Sequence, residues 1–304
     1  MKCLVTGGAG FIGSHLCERL LKKGHQVFCL DNLSTGKREN INYLSKNFNF
    51  YNRDVSDYGI EVIFKDIQFD YVFHQAASKK TICLKDPKKD LDVNGKGTLN
   101  LLQLSKKYGV KKFIHASTGS VYGEVNGLIT EVTAKNPCSY YGISKNAGES
   151  YVSYFNKEEG LNTTILRYFH VYGSRQDNSD FGGVIPIFIK KIMNDEPITI
   201  FGDGKQERSF TYVDDVVNAN IISIDKGDGE IYNCASALKV TIIDVAKYIA
   251  LYLDKDLKIE YAPETIGDIK YFDISNKKIK FDYSLEFSDF QKSLIKTIDS
   301  YVKI

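Results

Sequence analysis

Tyr141 and Lys145 stand four residues apart in the stretch Ser139-Tyr140-Tyr141-Gly142-Ile143-Ser144-Lys145. On a helix that spacing puts both side chains on one face, one turn apart. A lysine ammonium beside a phenol favours the phenolate, lowering a pKa that is otherwise about 10. A tyrosine tuned in this way accepts a proton near neutral pH. The chain holds 20 tyrosines and many lysines, so such a pair also arises by chance. Its meaning depends on the elements that position it.

Those elements alternate. Residues 2–6 read as a short buried strand, glycines follow, and 14–23 carry helical periodicity up to the stop at Gly24. Residues 25–31 predict a second strand that ends in an acid. Further strands are predicted at 49–54, 69–74 and 112–117, with a helix over 94–108. Strict alternation of this kind implies a parallel sheet with helices on both faces. From about Tyr168 the pattern loosens: a helix near 188–194, a strand at 198–201, a turn at 202–204, helices at 214–223 and 242–253, and a Lys- and Asp-rich tail from Asp273. Neither a repeat nor a linker is visible, so the second region is expected to pack against the first.

The 304 residues suffice for about two domains, and 43% hydrophobic with 26% charged residues is ordinary for a globular protein. A formal charge of +2 argues against a strongly basic nucleic-acid surface. No apolar run approaches the roughly 20 residues of a membrane span, and the N-terminus lacks a signal-peptide layout. The six cysteines (3, 17, 29, 83, 138 and 234) show no C-x-x-C spacing, and the five histidines no metal-binding pattern. Buried free thiols in a cytoplasmic, metal-free protein are the expectation.

Thr6-Gly7-Gly8-Ala9-Gly10-Phe11-Ile12-Gly13 lies directly between the first strand and the first helix. Glycines there permit a tight turn, close approach of backbone to a pyrophosphate and close helix packing, while the helix N-terminus faces the negative charge. Gly7, Gly10 and Gly13 form G-x-x-G-x-x-G, a spacing variant of the dinucleotide fingerprint. Asp31 ends the second strand, where an acid can bind the adenosine ribose hydroxyls and repel a 2′-phosphate. NAD is therefore favoured over NADP, although Lys37 and Arg38 keep the second open.

With these residues in place the chain resembles the extended short-chain dehydrogenase/reductase family, in its nucleotide-sugar epimerase/dehydratase branch. The likeness spans nearly the whole length. It rests on TGGAGFIGSH at 6–15, DNLSTGKREN at 31–40, DV at 54–55, HQAAS at 74–78 and DVNGKGT at 92–98. It continues with STGSVYG at 117–123, YGISK at 141–145, RYFHVYGSRQ at 167–176 and IFGDGKQERSFTYVDDVV at 200–217. The resemblance implies an α/β fold: a Rossmann-type doubly wound parallel sheet over 1–167, to which part of 205–233 returns, and a smaller C-terminal α/β substrate domain over 168–304. It implies that NAD is held by Gly7, Gly10, Phe11, Ile12, Gly13, Asp31, Asn32, Asp54, Val55, Ala76, Ala77, Lys79, Asn94, Tyr141, Lys145 and Tyr168. Tyr141, Lys145 and Thr118 take the catalytic positions. Thr118, Ser120, His170, Val184 and Arg208 face a nucleoside diphosphate sugar, with Arg208 suited to its diphosphate. A homodimer built from the helices after Asn94 and Tyr141 is also implied.

The departures from the family pattern concern the reaction. His170 stands where the branch usually carries Asn, and it is either a donor to the diphosphate sugar or a packed histidine. Thr265 occupies the place of a second diphosphate arginine. In 4,6-dehydratases the Thr is followed by an Asp-Glu pair, and uronate decarboxylases keep the Glu; here Gly119 and Ser120 follow Thr118. Losing a general acid or base costs about 10²–10⁴-fold, so 4-epimerisation of a UDP-hexose with NAD retained is the favoured reaction. Glu124, just past the motif, is read as loop surface. Dehydration or decarboxylation within the family is the alternative, and a non-catalytic NAD-binding scaffold lies further behind because the Tyr, the Lys and Thr118 are all present.

Overall fold

The structure is a computed structural model and describes residues 1–42, 46–78, 83–179, 182–263 and 273–302. The first half runs β1 (Lys2–Thr6), α1 (Phe11–Lys22), β2 (Gln26–Leu30), β3 (Phe48–Tyr51), α2 (Glu61–Ile67), β4 (Tyr71–His74), α3 (Pro87–Leu91), α4 (Thr98–Lys107), β5 (Lys112–Thr118), β6 (Leu128–Ile129) and α5 (Tyr140–Lys157). It continues with β7 (Thr163–Tyr168), β8 (Val171–Tyr172), α6 (Val184–Met193), β9 (Ile198–Phe201), β10 (Glu207–Ser209), β11 (Thr211–Tyr212), α7 (Val213–Ile222) and β12 (Ile231–Cys234). The rest is β13 (Lys239–Thr241), α8 (Ile242–Leu253), β14 (Ile259–Ala262), β15 (Asp273–Ile274), α9 (Lys277–Tyr283) and α10 (Phe290–Val302).

Seven strands form one sheet in the order β12-β7-β5-β4-β1-β2-β3, and every pairing in it is parallel. Strands buried on both faces read as continuous apolar runs, as Cys3-Leu4-Val5 and Val27-Phe28-Cys29-Leu30 do. The strand order reverses between β1 and β4, so a crevice opens at the carboxyl ends of these two strands. The glycine loop, Asp31 and the 75–78 segment all leave the sheet at that edge.

Two apolar cores flank the sheet, one under α1 and α7 and the other under α2, α4 and α5. A third, built from Ile185, Phe188, Ile189, Val245, Ile249 and Leu294 among others, joins α6, α8 and α10. The segment between β10 and β12 rejoins the first unit: α7 packs on α1 through Val213, Val216 and Val217, and β12 adds the seventh strand beside β7. Arg19 of α1 ties the two helices by donating to Asn218 at 2.6 Å. No helix among the described residues is long and apolar enough to cross a membrane.

The helix predicted over 94–108 begins differently. Residues 92–97 form a π-helical stretch before α4 takes over at Thr98. Here the Thr98 hydroxyl donates to the Asn94 carbonyl at 2.6 Å, and the Asn94 amide nitrogen donates to Asp90 at 3.1 Å and to the Ser144 hydroxyl at 3.0 Å. The Thr98 hydroxyl thus takes a carbonyl of the ordinary ladder, while the Asn94 side chain ties the wide turn to α5.

Candidate active site

The glycine loop closes so tightly that only glycine fits. Gly7 has φ +66°, and a Cβ there would lie 2.7 Å from the backbone of Ala76; a Cβ on Gly13 would lie 2.1 Å from the Gly7 carbonyl oxygen. Gly10 precedes α1 in an extended conformation with no side-chain cap, and the first turn carries no acid. The first-turn amides, which a helix cannot satisfy internally, are thus left for an anion.

Asp31 is buried at the end of β2. One carboxylate oxygen accepts from the Ala9 amide at 3.0 Å and the other from Leu33 at 2.8 Å, and the Gly10 amide also faces the carboxylate. Burial pushes its carboxyl above the usual range despite those bonds. Asn32 donates to Asp54 at 2.6 Å. Burial raises the Asp54 carboxyl, but bonds from Ser56 and Asn32 outweigh it and hold the group low.

These residues meet in one cleft. Gly7, Gly10, Phe11, Ile12, Gly13, Asp31, Asn32, Asp54, Val55, Ala76 and Ala77 all line it, as the sequence leads one to expect. Sequence reasoning missed Ser34, Thr35, Arg53, Gln75, Ser78 and Lys89, which line it too. Asn94 lies behind the wall, its carbonyl side-chain oxygen accepting from the Ser78 amide at 3.0 Å. Tyr168 ends β7 opposite Thr118, accepting from Asn220 at 2.7 Å and donating to Gln75 at 3.1 Å. Lys79 and Thr265 fall outside the described residues. A loop that admits no Cβ at Gly7 or Gly13, an open helix N-terminus and a buried acid fit a dinucleotide with free ribose hydroxyls.

Ser139 caps α5 by accepting from the Gly142 amide at 3.1 Å, so the Tyr-x-x-x-Lys stretch is the helix's first turns. Thr118 faces the Tyr141 hydroxyl, and its polar contact opposes the effect of burial on the phenol. Thr118 in turn donates to the Ser120 hydroxyl at 3.2 Å and accepts from the Ser120 amide at 3.2 Å. Lys145, fully buried, donates to the Ala116 carbonyl at 2.6 Å.

The electrostatics correct one expectation. Lys145 was expected to draw the Tyr141 pKa down; instead burial dominates and pushes Tyr141 up to about 12. Burial likewise brings Lys145 down to about 8. In a dry site the ammonium's own desolvation weakens its hold on the phenol.

Beneath this pair a buried network fixes the loop after β5. Arg167 donates to both oxygens of Glu149, at 2.9 and 2.7 Å, and to the Tyr122 hydroxyl at 2.6 Å; Ser117 donates to Glu149 at 2.5 Å. A buried pair of this kind holds geometry when every acceptor is satisfied. Glu124 is exposed.

In the C-terminal region Val184 opens α6, and Arg208 is buried on β10, paired with Val240 of β13. His170 is exposed, with φ +39°, and its ring meets Phe210 edge-on at 6.0 Å. A left-handed backbone at a non-glycine residue costs energy and marks a constrained position.

This fold and cleft define a Rossmann-type dinucleotide-binding protein with a Tyr–Lys helix beside the site. The chain belongs to the NAD dependent epimerase/dehydratase family, whose model matches residues 3–235, and NAD is its cofactor. It is similar to the Thermotoga maritima UDP-glucose 4-epimerase solved with UDP-glucose: 40% identity, TM-score 0.96, covering 100% of this chain and 99% of that one. It is also similar to the Thermus thermophilus UDP-glucose 4-epimerase solved with NAD: 36% identity, TM-score 0.92, covering 99% of each. A third relative, the UDP-N-acetyl-alpha-D-glucosaminuronate decarboxylase of Bacillus cytotoxicus, is 37% identical over 91% of this chain and 88% of that protein.

Proposed function

We propose that the protein is an NAD-dependent 4-epimerase of a UDP-hexose. The observation that carries this reading is the Thr118–Tyr141 hydroxyl pair with no carboxylate at the two positions after Thr118, which are Gly119 and Ser120. A Cβ at position 119 would lie 2.2 Å from the Phe169 ring, so the packing beneath the loop leaves no room for an acid there.

In this reading Tyr141 takes the proton of the sugar O4′ and returns it, while Thr118 holds that oxygen. The bound dinucleotide supplies a hydride acceptor for C4′ and, oxidised, a positive charge that favours the phenolate. Lys145 holds the nicotinamide ribose, Asp31 and Asn32 the adenosine ribose, and Asp54 and Val55 the adenine. Ala76, Ala77, Asn94 and Tyr168 shape the path to the nicotinamide. Ser120, His170, Val184 and Arg208 receive the nucleotide sugar, Arg208 at the diphosphate. Residues 1–167, with part of 205–233, form the NAD unit and 168–304 mainly the sugar unit. The enzyme works in the cytoplasm as a homodimer.

A decarboxylating outcome is the second reading, favoured by the likeness to the B. cytotoxicus enzyme. Incubation with UDP-, GDP-, CDP- and dTDP-sugars in D₂O, followed by NMR, separates the two. Epimerisation gives a C4′ epimer without exchange at C5′, and Tyr141→Phe keeps NAD binding while losing at least about 10²-fold in turnover. Exchange at C5′, loss of a hydroxyl or loss of CO₂ would sink simple epimerisation.

A further inference from the structure

Four charged side chains line the dinucleotide cleft: Asp31, Asp54, Arg53 and Lys89. The carboxylates are engaged, as described above. The cations are not. Arg53 follows β3 with its amide donating to Tyr51 at 3.1 Å, and Lys89 lies in α3 with its amide donating to the Asp86 side chain at 3.0 Å. Both side chains are exposed, and neither makes a hydrogen bond or ion pair among the described residues. The Lys89 charge reaches Asp54 and helps hold that carboxyl low. Arg38, one of the two cations that follow Asp31 in the sequence, instead lies over the Phe50 ring at 4.5 Å.

A cleft whose acid rejects a 2′-phosphate also repels the diphosphate of the dinucleotide it must hold. Two carboxylates on the wall work against any anionic ligand, and an open cleft screens that repulsion only in part. Two uncommitted cations on the same wall balance them charge for charge. We propose that Arg53 and Lys89 are cofactor-holding residues: they cancel the field of Asp31 and Asp54, so that a site selective against a 2′-phosphate still retains a dinucleotide through its dianionic diphosphate. The proposal rests on NAD being the ligand of this cleft.

The test uses the full-length holoenzyme and an Arg53→Gln/Lys89→Gln variant. NAD release is followed after a chase with excess ADP-ribose, at about 50 mM and about 500 mM salt; adenosine, which carries no charge, is titrated separately by ligand-observed NMR into the same proteins after their NAD has been released and removed. The variant is expected to release NAD about tenfold faster at low salt, the gap closing at high salt, with adenosine affinity unchanged. Equal release rates in the two proteins would overturn the proposal. So would a loss that is the same at both salts and shared by adenosine, which would make the two residues packing contacts instead. A wild type that holds no NAD at all would remove the reading of the cleft itself, a separate outcome visible before the variant is made.

Discussion

Lys145 is buried at a cost. The unfolded chain keeps its lysine proton up to the ordinary value of 10.5, whereas the folded one releases it near 8. Between those values the unfolded state binds more protons, so this residue makes the protein more stable as pH rises through that window and penalises it fully below it. Lys145→Met should therefore match or exceed wild-type stability at pH 7, by roughly 1–2 kcal/mol after the loss of the bond to Ala116 is counted. The advantage should fade by about pH 10, and turnover should fall by at least about 10²-fold. Denaturation midpoints at the two pH values check the sign; a variant less stable at pH 7 and relatively better at pH 10 contradicts it. The Tyr141 and Lys145 positions were legible from their spacing. Their proton affinities were not, because desolvation depends on packing from β5 and α4 that spacing does not encode.

At the level of elements, α1 and its loop act as one unit. A Cβ at Gly13 would meet the Gly7 carbonyl at 2.1 Å, so Gly13→Ala must open the turn that aims the helix at the pyrophosphate. We expect a stability loss of about 1–3 kcal/mol and the disappearance of the thermal shift on adding NAD; an undiminished shift would show the turn to be more yielding than its geometry. Regular elements were readable from period: β9 at 198–201 and α8 at 242–253 stand where the pattern put them. β7 escaped notice because its run Thr163-Thr164-Ile165-Leu166-Arg167-Tyr168 carries an arginine. Glu149, Tyr122 and Ser117 make that arginine burial possible, and all three are distant in sequence. The π-helical turn at 92–97 escaped for the same reason, since its partner Ser144 lies on α5. Arg53 and Lys89 were illegible because nothing in the sequence says that the end of β3 and α3 face one cleft.

At the scale of the whole molecule, α5 leaves Tyr151 and Tyr154 exposed, at 40% and 53%. Amphipathic aromatics on an open helix face suit a subunit contact. Light scattering is expected to give a dimer at micromolar concentration, and Tyr151→Glu/Tyr154→Glu to give a monomer; a wild-type monomer would reject the assembly. On the proposed reading, the molecule takes a hydride from one sugar carbon and gives it back. That claim is tested most directly with UDP-glucose carrying deuterium at C4′, incubated in ordinary water. Retention of the label at C4′ of the epimerised product, with no solvent hydrogen entering any carbon, is the predicted result. Washout of the label from C4′, or product formed without it, would contradict the account.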